Sequence, residues 1–112
     1  MSDEKRSTIV AGDEILTLIN TFTCPEVRQN ELVDALDRAT SEIFVHLDGF
    51  ISANLHASLD HTRVINYAQW RSMENFDAAQ SHPKVRQHLA EIMAIAESAD
   101  PRLFHVRAVH HA

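Results

Sequence analysis

Two asparagines and the single tryptophan are the residues of this chain whose types and spacing suggest chemistry. Asn66 and Trp70 lie four residues apart in a segment, 64–70, with the composition of a β-strand. Because alternate residues of a strand share one face, Asn66, Ala68 and Trp70 would line one wall. An amide, a small residue and a large ring together can form a pocket for a flat, oxygenated molecule. A core tryptophan beside a hydrogen-bonded asparagine is the alternative interpretation.

Asn20 is a second amide in an unusual position. It interrupts an apolar row on one face of a predicted strand over residues 14–23, where its neighbours are Leu16, Leu18 and Phe22. A buried amide is costly unless it is paired, so Asn20 needs a partner or a ligand. The eight histidines fall in no spacing typical of a metal site, and no metal is predicted.

The elements that must position these residues follow from periodicity and punctuation. Thr23 and Glu26 have the spacing of a capping box, which predicts a helix over residues 24–47 that Gly49 ends. Ser72 would cap a helix through residue 80, and Pro83 would start another that residues 98–101 break. The remaining predicted strands are 51–59, 63–70 and 102–109.

This order, β-α-β-β-α-β with a split second helix, predicts an α+β ferredoxin-like fold. The helices would cover one face of the sheet. The other face also needs cover, and a second subunit's sheet is the simplest solution, so we expect a homodimer. Tyr67 and Gln69 would then face the partner subunit.

Composition limits the remaining possibilities. The 112 residues predict one domain over residues 14–112, preceded by a flexible tail over residues 1–13. The net charge of −6 argues against a nucleic-acid partner. No apolar run approaches the roughly 20 residues of a membrane span, so no membrane partner is expected. The lone Cys24 fits a cytoplasmic location.

Three segments resemble one known family. They are DGFISA at 48–53, HAS at 56–58 and NYAQW at 66–70, the last followed by Ser72. Over residues 15–109 the chain resembles the antibiotic biosynthesis monooxygenase (ABM) family, especially the cofactor-free polyketide oxygenases of the actinorhodin and tetracenomycin type. The resemblance implies a dimeric α+β barrel with a pocket between sheet and helices in each subunit. It also implies that Asn20, Asn66 and Trp70 are the catalytic residues.

The resemblance further implies a cofactor-independent monooxygenase that oxidises an anthrone or naphthacenone to a quinone, with O2 as co-substrate. Such a substrate supplies its own electrons, whereas oxygen chemistry otherwise uses a metal, haem or flavin. The substrate-binding wall would exclude water. Its predicted members are Leu16, Leu18, Leu55, Phe76, Arg86 and His88. His88 is the side chain best suited to act as a general base, although an exposed structural histidine is the alternative interpretation.

Two other functions remain open at this point. A haem-degrading enzyme of the same fold would use His88 as an iron ligand, but the tryptophan that such proteins carry is replaced here by alanines at 78 and 79. A non-redox ligand-binding or isomerase module is the second alternative, since a fold alone does not fix function.

Overall fold

The fold is a four-stranded antiparallel sheet with its helices on one face. The computed structural model describes residues 5–112. The strand order is β2-β3-β1-β4, which is the predicted ferredoxin-like arrangement. The elements are β1 (Leu16–Thr23), α1 (Gln29–Glu42), β2 (Phe50–Ala57), β3 (Arg63–Trp70), α2 (Met73–Gln80), α3 (Pro83–Ile95) and β4 (Ser98–Phe104). No helix among residues 5–112 is long and apolar enough to cross a membrane.

The first helix is shorter than predicted. The capping box does not form, because Thr23 is the last residue of β1 and a 3-10 turn, Glu26–Arg28, precedes α1. At the other end α1 stops at Glu42 and a second 3-10 turn, Phe44–His46, follows. This tighter turn changes the direction of the side chains after Glu42, and it brings Phe44 against Trp70.

The last strand begins earlier than predicted. Residues 98–101, which were expected to break the helix, pair with β1, so that Pro101 lies opposite Asn20. Residues 105–109 of the predicted strand lie outside β4. A proline is tolerated here because β4 is an edge strand, where an N–H can be missing without breaking a ladder.

The predicted cap at Ser72 is confirmed, whereas Gly49 has the expected left-handed backbone but does not end the helix, because α1 stops at Glu42. Gly49 has a φ of +81°, and a Cβ at this position would overlap the side chain of Asn75. The Ser72 hydroxyl accepts a hydrogen bond from the Asn75 backbone N–H at 3.1 Å and caps α2. Gly49 and Ser72 therefore fix how β2 and β3 meet the start of α2.

The core between sheet and helices is divided into two apolar clusters. The larger joins β1, α1, β3 and α3 through Phe22, Leu32, Leu36, Val64 and Ile92, among others. The smaller surrounds the tryptophan and contains Leu16, Trp70 and Ala79, with Phe44, Leu47, Phe50 and Phe76 packed against them.

The N-terminal segment crosses the sheet face that the helices leave open. Of the flexible tail predicted over residues 1–13, residues 1–4 lie outside the described part of the chain. The Val10 backbone exchanges two hydrogen bonds with the Gln69 side chain, at 3.1 and 3.2 Å. Gln69 also donates to Thr17 Oγ1 at 2.9 Å and is 0% exposed. The expectation that Gln69 faces a partner subunit is therefore wrong, because residues of its own chain cover it.

Candidate active site

The two asparagines lie opposite each other on neighbouring strands. In the β1–β3 ladder Asn20 pairs with Asn66, while Leu18 pairs with Ala68 and Leu16 with Trp70. Because side chains alternate along a strand, this register places all of these residues on the helix-facing side of the sheet. The amides that sequence reasoning singled out separately are thus one cross-strand pair.

A cavity of about 270 Å³ lies between these strands and the helices. Members of both core clusters line it, so the cavity separates the two clusters. It opens between α3 and β4, where Met93, Ala99 and Pro101 are exposed. The lining residues are Leu18, Asn20, Phe22, Leu36, Thr40, Phe44, Phe50, Ala53, Asn66, Ala68, Trp70, Phe76, Gln80, Leu89, Ile92, Met93, Ala99 and Pro101. None of these described residues has an acidic or basic side chain.

The amide oxygens of Asn20 and Asn66 are buried and have no hydrogen-bond partner within the described chain. Leaving a buried polar atom unpaired costs about 1–3 kcal/mol, and here the cost falls twice at adjacent positions. A bound molecule that offers hydroxyl groups at this place would remove both costs. The pair is therefore the polar centre of a cavity whose walls are mostly apolar.

Trp70 forms the closed end of the cavity. It is 2% exposed, and three phenylalanine rings meet it edge to face. The ring centroids of Phe44, Phe50 and Phe76 lie 6.1, 5.4 and 6.2 Å from that of Trp70. These contacts fix the orientation of the indole, because aromatic pairs favour this geometry. Trp70 is therefore both a core residue and a rigid wall of the cavity.

The predicted apolar wall is reproduced in part. Leu18 and Phe76 line the cavity. Leu16 belongs to the cluster of Trp70, and Leu55 packs against the other cluster, so neither is among the lining residues.

Arg86 and His88 are not brought to the cavity. Arg86 is exposed. His88 Nδ1 lies 3.3 Å from the Glu91 carboxylate, one turn further along the same helix. The face of α3 that reaches the cavity instead carries Leu89, Ile92 and Met93. Leu89, Ile92 and Met93 together set the direction of the cavity-facing side, and residue 88 lies about 90° from its centre around the helix axis.

Several lining residues escaped the sequence analysis. Phe44 was hidden by the unforeseen end of α1, while Phe50 stood in the family segment DGFISA and could have been found there. Thr40 and Gln80 add polar atoms to the wall, and the Thr40 hydroxyl donates to the Leu36 carbonyl at 2.8 Å. The signal that could have found Thr40 is its place four residues after Leu36, which puts the two side chains on one face of the helix.

The described residues offer little for metal or thiol chemistry. Among residues 5–112, no group of three or more His, Cys, Asp or Glu side chains is placed to hold a metal ion. The buried Cys24 is a free thiol. Burial, and to a smaller extent the Glu97 carboxylate, raises the pKa of the Cys24 thiol, which disfavours the nucleophilic thiolate.

Comparison with known proteins defines the class. Residues 15–91 match the family described as antibiotic biosynthesis monooxygenase. The chain is 39% identical over 82 residues to tetracenomycin-F1 monooxygenase of Streptomyces glaucescens, and the aligned region covers 73% of each chain. The chain therefore belongs to the antibiotic biosynthesis monooxygenase family, and tetracenomycin-F1 monooxygenase is one of its relatives.

Solved structures share the fold. SnoaB, a cofactor-independent oxygenase from Streptomyces nogalater, superposes with a TM-score of 0.78 at 23% identity, over 87% of this chain and 97% of its own. Rv0793 from Mycobacterium tuberculosis gives a TM-score of 0.71 at 17% identity, over 88% and 98%. At these identities the likeness concerns the fold.

Proposed function

We propose that this chain is a cofactor-independent monooxygenase that oxidises an aromatic polyketide, an anthrone or a naphthacenone, to the corresponding quinone with O2. The observation that carries the proposal is the facing pair of unpartnered amide oxygens, on Asn20 and Asn66, in an apolar cavity. The relationship to tetracenomycin-F1 monooxygenase supports the reaction class. The description of SnoaB as cofactor-independent supports a mechanism in which the substrate provides the electrons.

The cavity suits such a substrate in shape and polarity. Five aromatic side chains line the cavity and provide flat apolar surfaces for a fused ring system: Phe22, Phe44, Phe50, Trp70 and Phe76. Its phenolic hydroxyls would donate hydrogen bonds to the amide oxygens. Rotation of an amide by 180° exchanges oxygen for N–H with little change in shape, so the same groups can donate to an oxyanion.

The reaction requires removal of a proton followed by electron transfer. The methylene carbon of the anthrone loses a proton, and the resulting electron-rich anion passes one electron to O2. The two radicals combine to a peroxide at that carbon, and loss of water leaves the carbonyl. In sum, one CH2 group and one O2 give one C=O group and one water.

The protein's contribution is to stabilise the anion in this apolar site. No described residue that lines the cavity has an acidic or basic side chain, so we propose that water at the open end accepts the first proton. The anion then depends on the amides of Asn20 and Asn66, which donate their N–H groups to it once they have rotated. A low local dielectric strengthens these hydrogen bonds.

An oxygen-electrode assay with the anthrone dithranol tests this function. We expect consumption of O2 together with the rise of quinone absorbance, with no added metal, flavin or NADPH and with EDTA present. Absence of oxidation above the uncatalysed rate, loss of activity in EDTA, or dependence on flavin would overturn the proposal. His88→Ala is a suitable control, since His88 lies outside the cavity, and it should retain full activity. The same variant tests the haem alternative, for which hemin should show no histidine-dependent Soret shift.

We also propose that the chain acts as a homodimer in the cytoplasm. The open sheet face carries the half-buried residues Ile19, Ile65 and Tyr67, which the N-terminal segment leaves partly accessible. At the adjoining edge, Phe104 is 45% exposed on β4. Light scattering should give twice the monomer mass for the wild type and a lower mass for Tyr67→Glu. A wild-type monomer at micromolar concentration would contradict this assembly.

A further inference from the structure

A second cavity adjoins the first at the free edge of β2. Its volume is about 340 Å³. Thr40, Phe50 and Ala53 line both cavities, so these three residues form the partition between them. A ligand that extends past this partition would leave the apolar interior and enter a compartment of different character.

The N-terminal segment builds the outer side of this second cavity. We call residues 5–12 the N-terminal strap. Followed backwards from Gly12, the strap begins beside the chain that follows β4, where the Gly12 N–H donates to the Val106 carbonyl at 3.1 Å. It then passes β3, where Val10 bonds to Gln69. It reaches β2 at Ser7, whose hydroxyl donates to Asn54 Oδ1 at 2.8 Å.

Beyond Ser7 the strap brings two cations to the second cavity. Lys5 and Arg6 line it, and they are the only charged residues among those described that do so. The main cavity, in contrast, has no charged lining residue in the described chain. On a chain with a net charge of −6, this places the ammonium group of Lys5 beside a neutral, apolar chamber.

We propose that the second cavity is a subsite for an anionic substituent, a carboxylate, on an aromatic ligand whose rings occupy the main cavity. The placement of the rings rests on the proposed function, whereas the charge preference rests on the strap. Lys5 supplies the charge, and the hydroxyl group of Ser52 at the same cavity is available as a neutral donor. The strap would thus set a preference among polyketides that differ only in a carboxylate.

Binding of two stable, unreactive probes tests this without turnover. The single tryptophan lies in the cavity wall, so quenching of its fluorescence reports occupancy. The probes are anthraquinone-2-carboxylate and its neutral carboxamide, which have the same rings and nearly the same shape. We expect Lys5→Ala to weaken binding of the carboxylate about fivefold at low salt and Lys5→Glu to weaken it further. Binding of the carboxamide should be unchanged in both variants.

Matched variants keep the outcome clear. Lys84→Ala removes the only other lysine, at the exposed start of α3, and should leave both affinities unchanged. Lys5→Arg should retain the preference, and added salt should reduce it. If Lys5→Ala affects both probes alike, or neither, the subsite is refuted while dithranol oxidation remains untouched. If neither probe binds the wild type, the aromatic-ligand function itself fails, and the subsite fails with it.

Discussion

Two side-chain amides on β3, three residues apart, differ in whether their hydrogen bonds are satisfied. Gln69, on the open face of the sheet, is fully buried, with its amide paired to Val10 and Thr17. Asn66, on the helix-facing side, has a buried amide oxygen with no partner in the described chain. Both sit on the same strand and in the same sheet, so secondary structure does not explain the difference. What differs is whether the rest of the chain completes the hydrogen bonds.

The difference distinguishes a buried amide that stabilises the fold from a buried amide that is available to a ligand. A satisfied amide such as that of Gln69 holds two segments together, because removing it would leave its partners without hydrogen bonds. An unsatisfied amide such as that of Asn66 costs stability, and under the proposed function a bound substrate completes its hydrogen bonds. The following substitutions are expected to give opposite results on the two faces.

The largest effect is expected for Asn66→Leu. It removes an aligned hydrogen-bonding group from the proposed oxyanion site, which should lower kcat/KM for dithranol by about 100-fold. The free energy of unfolding should stay unchanged or rise by about 1 kcal/mol, because a buried unpaired oxygen is replaced by a hydrocarbon in an apolar wall. Oxygen uptake and urea unfolding measure the two quantities. Full activity in a normally folded Asn66→Leu protein would remove Asn66 from the site.

An intermediate effect on activity is expected for Trp70→Phe, because Trp70 is both a core residue and part of the cavity wall. Loss of the larger ring from the cavity wall should lower kcat/KM about tenfold. Loss of packing against Phe44, Phe50 and Phe76 should also cost about 2 kcal/mol of stability. The same two measurements apply. A loss of stability with no loss of rate would make Trp70 purely a core residue.

Gln69→Leu should affect only stability. The substitution leaves the Thr17 hydroxyl and the Val10 backbone without their partner, which should cost about 1–2 kcal/mol in urea unfolding. Dithranol oxidation by the folded fraction should be unchanged, because Gln69 points away from the cavity. A selective loss of rate, at unchanged stability, would contradict the division between the two faces.

The sequence predicted the sheet face of Asn20 and of Asn66 correctly, but it predicted their surroundings poorly. Asn20 and Asn66 could be placed because the two-residue period of a strand fixes which face a side chain takes. Ser72 could be placed as a helix cap, and Gly49 as a left-handed residue, because both signals are local. The partner of Gln69 could not be predicted, since Val10 lies 59 residues away and no local pattern indicates the contact. Phe44 was missed because tertiary packing, and no breaking residue, ends α1 at Glu42.

β4 shows the limit of residue preferences at an edge. Residues 98–101 contain a proline and an aspartate, which normally argue against a strand. They pair with β1 because the edge position leaves one side of the backbone free. This shift matters for the site, since it brings Ala99 and Pro101 to the mouth of the cavity.

The smallest effect concerns the turn that sets the register of β3. Asp60 accepts hydrogen bonds from the Thr62 hydroxyl, the Thr62 N–H and the Ser58 hydroxyl, at 2.7, 3.0 and 2.8 Å. These bonds, those from Thr62 first, lower the pKa of Asp60 from 3.8 to about 2. A slip of one residue at this turn would exchange the faces of Asn66 and Gln69.

Because the folded-state pKa of Asp60 is depressed, its contribution to stability is complete above about pH 4 and is lost as the pH falls towards 2. Asp60→Asn should therefore lower the melting temperature slightly at pH 6, and the difference from the wild type should decrease as the pH falls from about 4 through 2. Calorimetry across this range measures it, with Asp37→Asn on the exposed face of α1 as the charge-matched control. A constant difference at every pH would mean that the ionised carboxylate does not hold the turn. Dithranol oxidation at neutral pH should be the same in both variants, since the remaining strand contacts keep Asn66 in the cavity and Gln69 on the opposite face.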